Sequence, residues 1–360
     1  MALKSFASAA GFLTALSAPA LLALGAWLDK PALAGGTILL LFPLARLMFG
    51  AFHSSMEHEW HPRVARLLDQ LPHAYVVVLA AALTMVLWKL HAQSLTVATA
   101  AQWILSLWVV LMLATCVAHE LLHRKSRAER FLGHALTGIA GYPVLGYEHV
   151  RHHRLRGSTG AAEWPRLSDS VWAFGGRRLR RIAAETVGPR GMAWLGNSAS
   201  PTVRGVRIGL TACVLAWAAF SAAAGWGGGA VYALTAVFVA GGVQLVTYMQ
   251  HWGLGDDHLP DARSRELAWE DDCRFEAWLT MSMSVHQTHH VDAGRPFYSL
   301  APTPGSPRMP TGYVLLMVAA LIPPVWRRTM TPALEYWLAH PEASPSAGRH
   351  VLCVAAYRRS

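Results

Sequence analysis

The feature that most constrains this chain is a series of long apolar runs that contain no Asp, Glu, Lys or Arg. An ion is costly to bury in hydrocarbon, and about 20 apolar residues cross the core of a bilayer. Each run therefore predicts a membrane-spanning helix. The longest run is interrupted by the glycine-rich segment Gly225–Gly229, which predicts two helices joined by a tight turn. We expect six spans: Ser5–Leu28, Pro31 to about Arg46, Leu71–Trp88, much of Leu90–Ala118, and two within Ile208–Gln250.

The composition supports a membrane protein. Only 14% of the 360 residues are charged and 53% are hydrophobic, whereas a soluble domain carries about 25% charged residues. The first run follows Lys4, and Ala32-Leu33-Ala34 resembles a signal-peptidase site. That run is longer than the apolar part of a usual signal peptide, so we expect a retained helix.

The basic residues fall almost entirely on one predicted side of the membrane. If the amino terminus is cytoplasmic, only Lys30 and Lys89 of the 31 Lys and Arg residues lie outside, as the positive-inside rule favours. Both termini are then cytoplasmic. The net charge of +10 follows this topology and not a binding face, so we expect no nucleic-acid partner. The apolar stretch Val314–Val325 is too short to span and is predicted to be interfacial or re-entrant.

The cysteines do not suggest a metal site or a disulfide framework. Cys116, Cys213, Cys273 and Cys353 stand far apart, and none belongs to a CxxC pair. Any metal ligands must therefore come mainly from histidine.

The first histidine motif is His119-Glu120-Leu121-Leu122-His123. A spacing of four places both imidazoles on one helical face, and neutral imidazole binds Zn, Cu, Fe or Ni. HExxH is also the zinc-protease pattern, with the glutamate as base. Taken alone, this motif fits a protease-like site and another kind of metal site equally well.

Two further motifs, HVRHH at His149–His153 and HQTHH at His286–His290, each place three imidazoles within one helical turn. With the first motif they supply eight candidate ligands, more than one metal accepts, so a two-metal centre is predicted. His251, where the sixth span ends, is a ninth candidate, although an interfacial histidine beside an aromatic residue is the simpler interpretation of it in isolation. Glu120 and Glu148 are candidates to hold the ring N–H of a ligand, or are ordinary solvated carboxylates. The nine candidates are His119, His123, His149, His152, His153, His251, His286, His289 and His290.

These motifs predict an all-α integral membrane protein with a cytoplasmic, helical, histidine-rich metal domain. The predicted segments, in order, are four spans in 1–118, the first two motifs in 119–207, two spans in 208–250, the remaining motifs in 251–330 and a C-terminal tail in 331–360.

The sequence resembles the membrane fatty-acid desaturase/hydroxylase superfamily and, within it, the bacterial alkane 1-monooxygenase branch. A His-aromatic-Gly motif after the last span is specific to the alkane and xylene monooxygenases of that superfamily. The resemblance is carried by HELLHR at His119–Arg124, EHVRHHR at Glu148–Arg154, QHWGL at Gln250–Leu254 and HQTHHVDAGRPFYSL at His286–Leu300.

The resemblance implies that the nine histidines bind two iron ions and that the enzyme uses O2. It also implies electrons from rubredoxin or ferredoxin with its reductase, a hydrophobic alkyl substrate, and a place among the lipids of the bacterial inner membrane. The expected reaction is hydroxylation of an unactivated C–H, at the terminal carbon. Two departures from the branch are that only two residues separate His149 from His152, as in desaturases, and that Gln250 replaces the usual glutamate.

Three other functions remain open at this point. The same metal centre fits desaturation or oxidative decarboxylation of a fatty acyl chain. An intramembrane zinc protease would use His119, Glu120 and His123 but would leave the other histidines unexplained. A metal transporter or sensor is disfavoured because transport usually needs ionisable residues within the spans.

Overall fold

A computed structural model describes residues 9–50, 60–189, 191, 196, 200–259 and 267–340. Within these ranges the regular structure is helical, and the only β-type pairing is an isolated bridge between Glu270 and Arg308. The predicted all-α class is confirmed. Residues 5–8 of the first predicted span and 341–360 of the predicted tail lie outside the described residues.

We number the described helices in chain order. They are α1 (Ala9–Trp27), α2 (Leu33–Phe49), α3 (Pro62–Ala92), α4 (Val97–His123), α5 (Arg127–Ile139), α6 (Leu145–Arg154), α7 (Val171–Thr186), α8 (Pro201–His251), α9 (Arg274–Leu279), α10 (His286–Val291), α11 (Tyr313–Leu321) and α12 (Pro323–Ala339).

Four of these helices, α1, α3, α4 and α8, are long and apolar enough to cross a membrane. The apolar helix α2 is shorter. Helix α8 has 51 residues, which at 1.5 Å per residue is more than twice the ~30 Å core of a bilayer. It is broken at Ala224 and Gly225, where the backbone leaves the helical region.

The break in α8 is shorter than the predicted turn at Gly225–Gly229. Gly225 has φ +58°, a left-handed conformation that glycine adopts without steric cost. The helix resumes directly afterwards, and a Cβ on Gly228 would lie 2.0 Å from the carbonyl oxygen of Phe220. The later glycines therefore allow close packing across the break and do not form the turn itself.

The chain divides into two compact units. Among the described residues, the first comprises 9–41, 61–149, 186–189, 191, 196 and 200–242. In it, α1 packs against α3 and α4 packs against α5. Helix α4 starts with a reciprocal capping arrangement of Thr96 and Thr99, which satisfies backbone N–H groups that a helix start leaves free. Ser106, in the middle of α4, accepts a hydrogen bond from the Gly35 N–H at 3.0 Å.

The described part of the second unit comprises residues 42–50, 60, 150–185, 243–259 and 267–340. Its hydrophobic core contains five completely buried tryptophans, and α11 packs against α12 beside them. Two of the indoles bind backbone carbonyls: Trp269 donates to Trp252 at 2.8 Å and Trp337 donates to Gly305 at 2.9 Å. A hydrogen bond from the indole N–H satisfies a buried polar group, so these bonds help to fix the orientations of the two rings. The five are Trp164, Trp252, Trp269, Trp326 and Trp337.

Candidate metal centre

Three predicted ligands meet in the first unit. His119 and His123 occupy the last turn of α4, and His149 lies on α6. The ring centroids of the three imidazoles are 4.3–4.9 Å apart. Each ring offers a nitrogen within 4.8 Å of the others, so the three could bind one metal ion.

Four predicted ligands meet in the second unit, and we call them the tetrad: His152, His251, His286 and His290. All four are buried, and one ring nitrogen of each lies within 4.8 Å of the others. The Nε2 atoms of His152 and His290 are 3.2 Å apart. The ring planes of His251 and His290 are stacked within 9°, with centroids 5.2 Å apart.

The last two predicted ligands form a pair in the second unit. The Nε2 atoms of His153 and His289 are 3.1 Å apart, and the ring centroids are 5.0 Å apart. Each of the nine histidines thus has another predicted ligand beside it. The two HxxHH motifs lie on α6 and α10, so the helical spacing used to predict three imidazoles per turn applies to both.

Helix α10 is held in place by a buried carboxylate. Glu270 accepts the N–H of Gln287 at 3.1 Å and that of Thr303 at 3.0 Å. The turn before the helix contains two consecutive left-handed residues, Met281 and Ser282. Such a conformation is uncommon outside glycine and persists where the surroundings impose it, so the turn and the carboxylate together fix where His286 begins the helix.

The QHWGL motif ends helix α8 at the tetrad. Gly253 adopts φ +74°, the left-handed conformation that commonly terminates helices. The ring of Trp164 stacks on His251, with centroids 4.2 Å apart and planes within 17°. Gln250, which departs from the family pattern, donates through its amide to the carbonyl oxygen of Met283 at 3.2 Å and to the Tyr313 hydroxyl at 3.0 Å. This amide therefore links the end of α8 to the segment before α10.

The electrostatics of the tetrad favour neutral imidazole. Burial, followed by the charges of His251 and Arg178, lowers the pKa of His152 well below its usual range. Burial, followed by the neighbouring His286 and His251, lowers the pKa of His290 in the same way. Neutral imidazole carries the nitrogen lone pair that a metal needs. Four buried nitrogen donors fit iron, zinc, copper or nickel and do not fit calcium or magnesium, which prefer oxygen.

The two carboxylates predicted beside the ligands have other named partners. Glu120 forms an ion pair with Arg124 at 2.8 Å, and Arg124 also binds Asp69 at 2.8 Å. Glu148 is buried and accepts a hydrogen bond from the Tyr142 hydroxyl. That Glu120 and Glu148 orient ligands stays a prediction.

Sequence reasoning missed three residues that surround the candidate ligands. Glu270 supports α10, Trp164 covers His251, and Glu163 lies 3.7 Å from the ring of His152. None belongs to a histidine motif or has a spacing that would reveal it. Only the fold brings Glu270 to Gln287 and Trp164 to His251.

Comparison with known proteins supports the resemblance inferred from the motifs. The chain is 30% identical to alkane 1-monooxygenase 1 of Pseudomonas aeruginosa over 67% of this chain and 65% of that protein. It is 26% identical to alkane 1-monooxygenase of Ectopseudomonas oleovorans over 89% and 84%. It is 27% identical to the xylene/toluene monooxygenase hydroxylase component of Pseudomonas putida over 68% and 66%. The match to the P. aeruginosa protein thus spans slightly less than two thirds of that relative's length.

The family assignment rests on a match to a family sequence profile. The sequence profile named fatty acid desaturase matches residues 94–304. That range is more than half of the 360 residues and includes all nine candidate histidines. The chain therefore belongs to the fatty acid desaturase family.

Proposed function

We propose that this protein is a membrane-bound, non-haem diiron monooxygenase that hydroxylates an unactivated C–H, at the terminal carbon of an alkane or another long alkyl chain. The observation that carries the proposal is the tetrad, in which four buried imidazoles from three helices offer nitrogens within 4.8 Å of one another. The names of the relatives, alkane 1-monooxygenase among them, support the choice of reaction.

Two iron ions are proposed per chain. The tetrad would hold one, and the other is proposed to have His119, His123 and His149 among its ligands. Nine imidazoles exceed what one ion accepts. Bound iron would supply the redox chemistry by which O2 oxidises an aliphatic C–H bond.

The protein's own residues would keep this chemistry selective by holding the ligands still and excluding water. The tetrad is buried, and the Trp164 ring covers His251 on one face. An oxidant strong enough to attack a C–H bond is diverted by water or by a misplaced substrate. A rigid, dry surrounding therefore favours reaction at one carbon of a chain that enters from the lipid.

The proposed topology has six spans and places both termini on the cytoplasmic side of the bacterial inner membrane. The length of α8 and its break at Ala224–Gly225 support two passes within that helix, and the Lys and Arg distribution supports the orientation. Reporter fusions after Lys30 and Lys89 test it. An external signal at both is expected, and a cytoplasmic signal at either contradicts the proposal.

Electrons are proposed to come from a separate acidic carrier, rubredoxin or ferredoxin, with its reductase. Exposed Arg180 and Arg181 on the basic helix α7 offer a positively charged surface that is complementary to an acidic carrier. The cysteines have no CxxC spacing, so the sequence offers no motif for an iron–sulfur cluster of its own. Full turnover with a chemical reductant and no carrier would contradict this proposal.

Desaturation is the second candidate, because His149 and His152 have the desaturase spacing. Cells producing the protein should be fed n-alkanes and fatty acids under 18O2, with mass spectrometry of the products. Hydroxylation puts the label into a terminal alcohol, whereas desaturation leaves an unlabelled double bond. A His286→Ala variant is the control and should give neither product. An unlabelled product from the wild type would overturn the proposed reaction.

A further inference from the structure

A strained loop between α6 and α7 carries a carboxylate into the interior of the second unit. Glu163 is completely buried, and its N–H donates to the carbonyl oxygen of Ser158 at 3.1 Å. The preceding Ala162 adopts φ +57°, a left-handed conformation that is unfavourable for alanine. Thr159 is fixed through both its N–H and its hydroxyl by Asp256, at 2.9 and 2.6 Å. The loop is thus held so that Glu163 points inward.

Two arginines compensate the charge of Glu163. Arg178 donates to Oε2 at 3.0 Å and to the Glu163 carbonyl oxygen at 3.4 Å. Arg151 pairs with Oε1 and also binds Glu185, at 2.9 Å. An isolated buried carboxylate is very unfavourable. Here two carboxylates face two guanidinium groups, so the charge of Glu163 is balanced within the interior.

His152 lies between this carboxylate and the rest of the tetrad. Its Nδ1 is 3.7 Å from Oε2 of Glu163, while its Nε2 is 3.2 Å from Nε2 of His290. The two ring nitrogens therefore face different partners, one the carboxylate and the other the candidate ligands. The distance from Nδ1 to Oε2 is about 0.5 Å longer than an ordinary N–H···O hydrogen bond. Nδ1 is buried and has no hydrogen-bond partner among the described residues, and this carboxylate faces it.

We propose that Glu163 is the positioning residue for His152: its carboxylate accepts a hydrogen bond from Nδ1–H, which keeps the proton on Nδ1 and presents the Nε2 lone pair to a metal ion. This inference rests on the proposed metal centre. Ligating histidines commonly give the other ring N–H to a carboxylate, which fixes the tautomer and ring orientation and makes the nitrogen a better donor. Arg151 and Arg178 would then act through Glu163, by holding its two oxygens in place.

The test measures metal binding by the full-length protein in detergent, with iron(II) and cobalt(II) as probes and a chelator as competitor. Glu163→Gln removes the charge. Glu163→Asp keeps the negative charge opposite the two arginines but withdraws the carboxylate from His152 by about one methylene length. Glu185→Gln is the matched control, because it removes a carboxylate from the same Arg151 but not the one that faces His152.

Both Glu163 variants are expected to lose about 10–100-fold in affinity at one of two metal sites, and Glu185→Gln is expected to bind as the wild type does. The visible spectrum of bound cobalt(II) should change in the Glu163 variants only, which a purely structural role would not produce. Circular dichroism checks folding, and Glu163→Asp supplies the answer if Glu163→Gln does not fold. Unchanged affinity and spectrum in Glu163→Asp would overturn this inference alone, whereas a wild type that binds no metal would overturn the proposed function as well.

Discussion

Replacing Glu270 with Gln should strongly destabilise the second unit, because the carboxylate joins three parts of it. Glu270 is completely buried. Its oxygens accept the N–H groups of Gln287 and Thr303, the Ser306 hydroxyl and the Arg308 guanidinium. Glutamine has the same shape but no charge, and one of its two terminal atoms is a donor. That NH2 group would face donors, and Arg308 would lose its carboxylate partner.

The size of the effect follows from these contacts. Removing one partner of a buried ion pair costs about 3–5 kcal/mol, and the Arg308 side chain is only 12% exposed. A backbone N–H left without an acceptor adds about 1–3 kcal/mol. Relaxation of the Thr303–Arg308 loop offsets part of this sum. We therefore expect a net loss of about 3–5 kcal/mol in the free energy of unfolding.

The assay is a denaturant titration in mixed micelles, followed by circular dichroism and by metal content. Glu335→Gln is the control, since Glu335 is an exposed glutamate in α12 of the same unit, and it should change the free energy of unfolding by less than about 0.5 kcal/mol. Glu270→Gln should also release metal from the tetrad, because α10 loses its support. A loss below about 1 kcal/mol, with metal retained, would refute the reasoning, because a buried pair would then be dispensable.

Three further predictions concern pH, packing and the ring beside the tetrad. Burial, then the charge of Asp271, raises the pKa of Glu276 to about 7 from 4.5; the folded state holds this proton longer, so stability falls as pH rises from about 4.5 through 7. In denaturant titrations across that range, the free energy of unfolding should fall less steeply with pH for Glu276→Gln than for the wild type. An unchanged slope would contradict the raised pKa of Glu276. Gly228→Ala should lower the free energy of unfolding by about 1–3 kcal/mol in the same titration. Gly241→Ala, where a Cβ meets nothing within 4 Å, should not lower it, and equal losses in the two variants would contradict the close packing at Gly228. Trp164→Ala should lower the free energy of unfolding by about 3–5 kcal/mol. Trp164→Phe, which keeps an aromatic ring, should lower it clearly less, and equal losses in the two variants would contradict a stacking role for Trp164.

The parts of the fold that the sequence predicted are those set by local periodicity. Charge-free runs predicted the apolar helices, and His286 with His290 was predicted to share a helical face, as it does on α10. His251 was predicted at the end of the last span and is the final residue of α8. Spacing succeeds here because the helical period is fixed at 3.6 residues per turn.

Features that depend on tertiary contacts were not predictable. Glu163 points inward because Ala162 takes a left-handed backbone and the loop is anchored to Asp256, and neither property has a sequence pattern. The break in α8 was predicted at the correct glycine but too long. The later glycines serve close packing, as Gly228 does against Phe220, and composition does not distinguish these two uses of glycine.

The most direct test of the central claim is the metal content of the full-length protein, produced with ample iron and purified in detergent, measured by elemental analysis against protein concentration. We predict two iron ions per chain for the wild type. We predict one for a His286→Ala, His290→Ala double variant, which removes half of the tetrad. One metal ion or fewer in the wild type, or zinc in place of iron, would contradict the account.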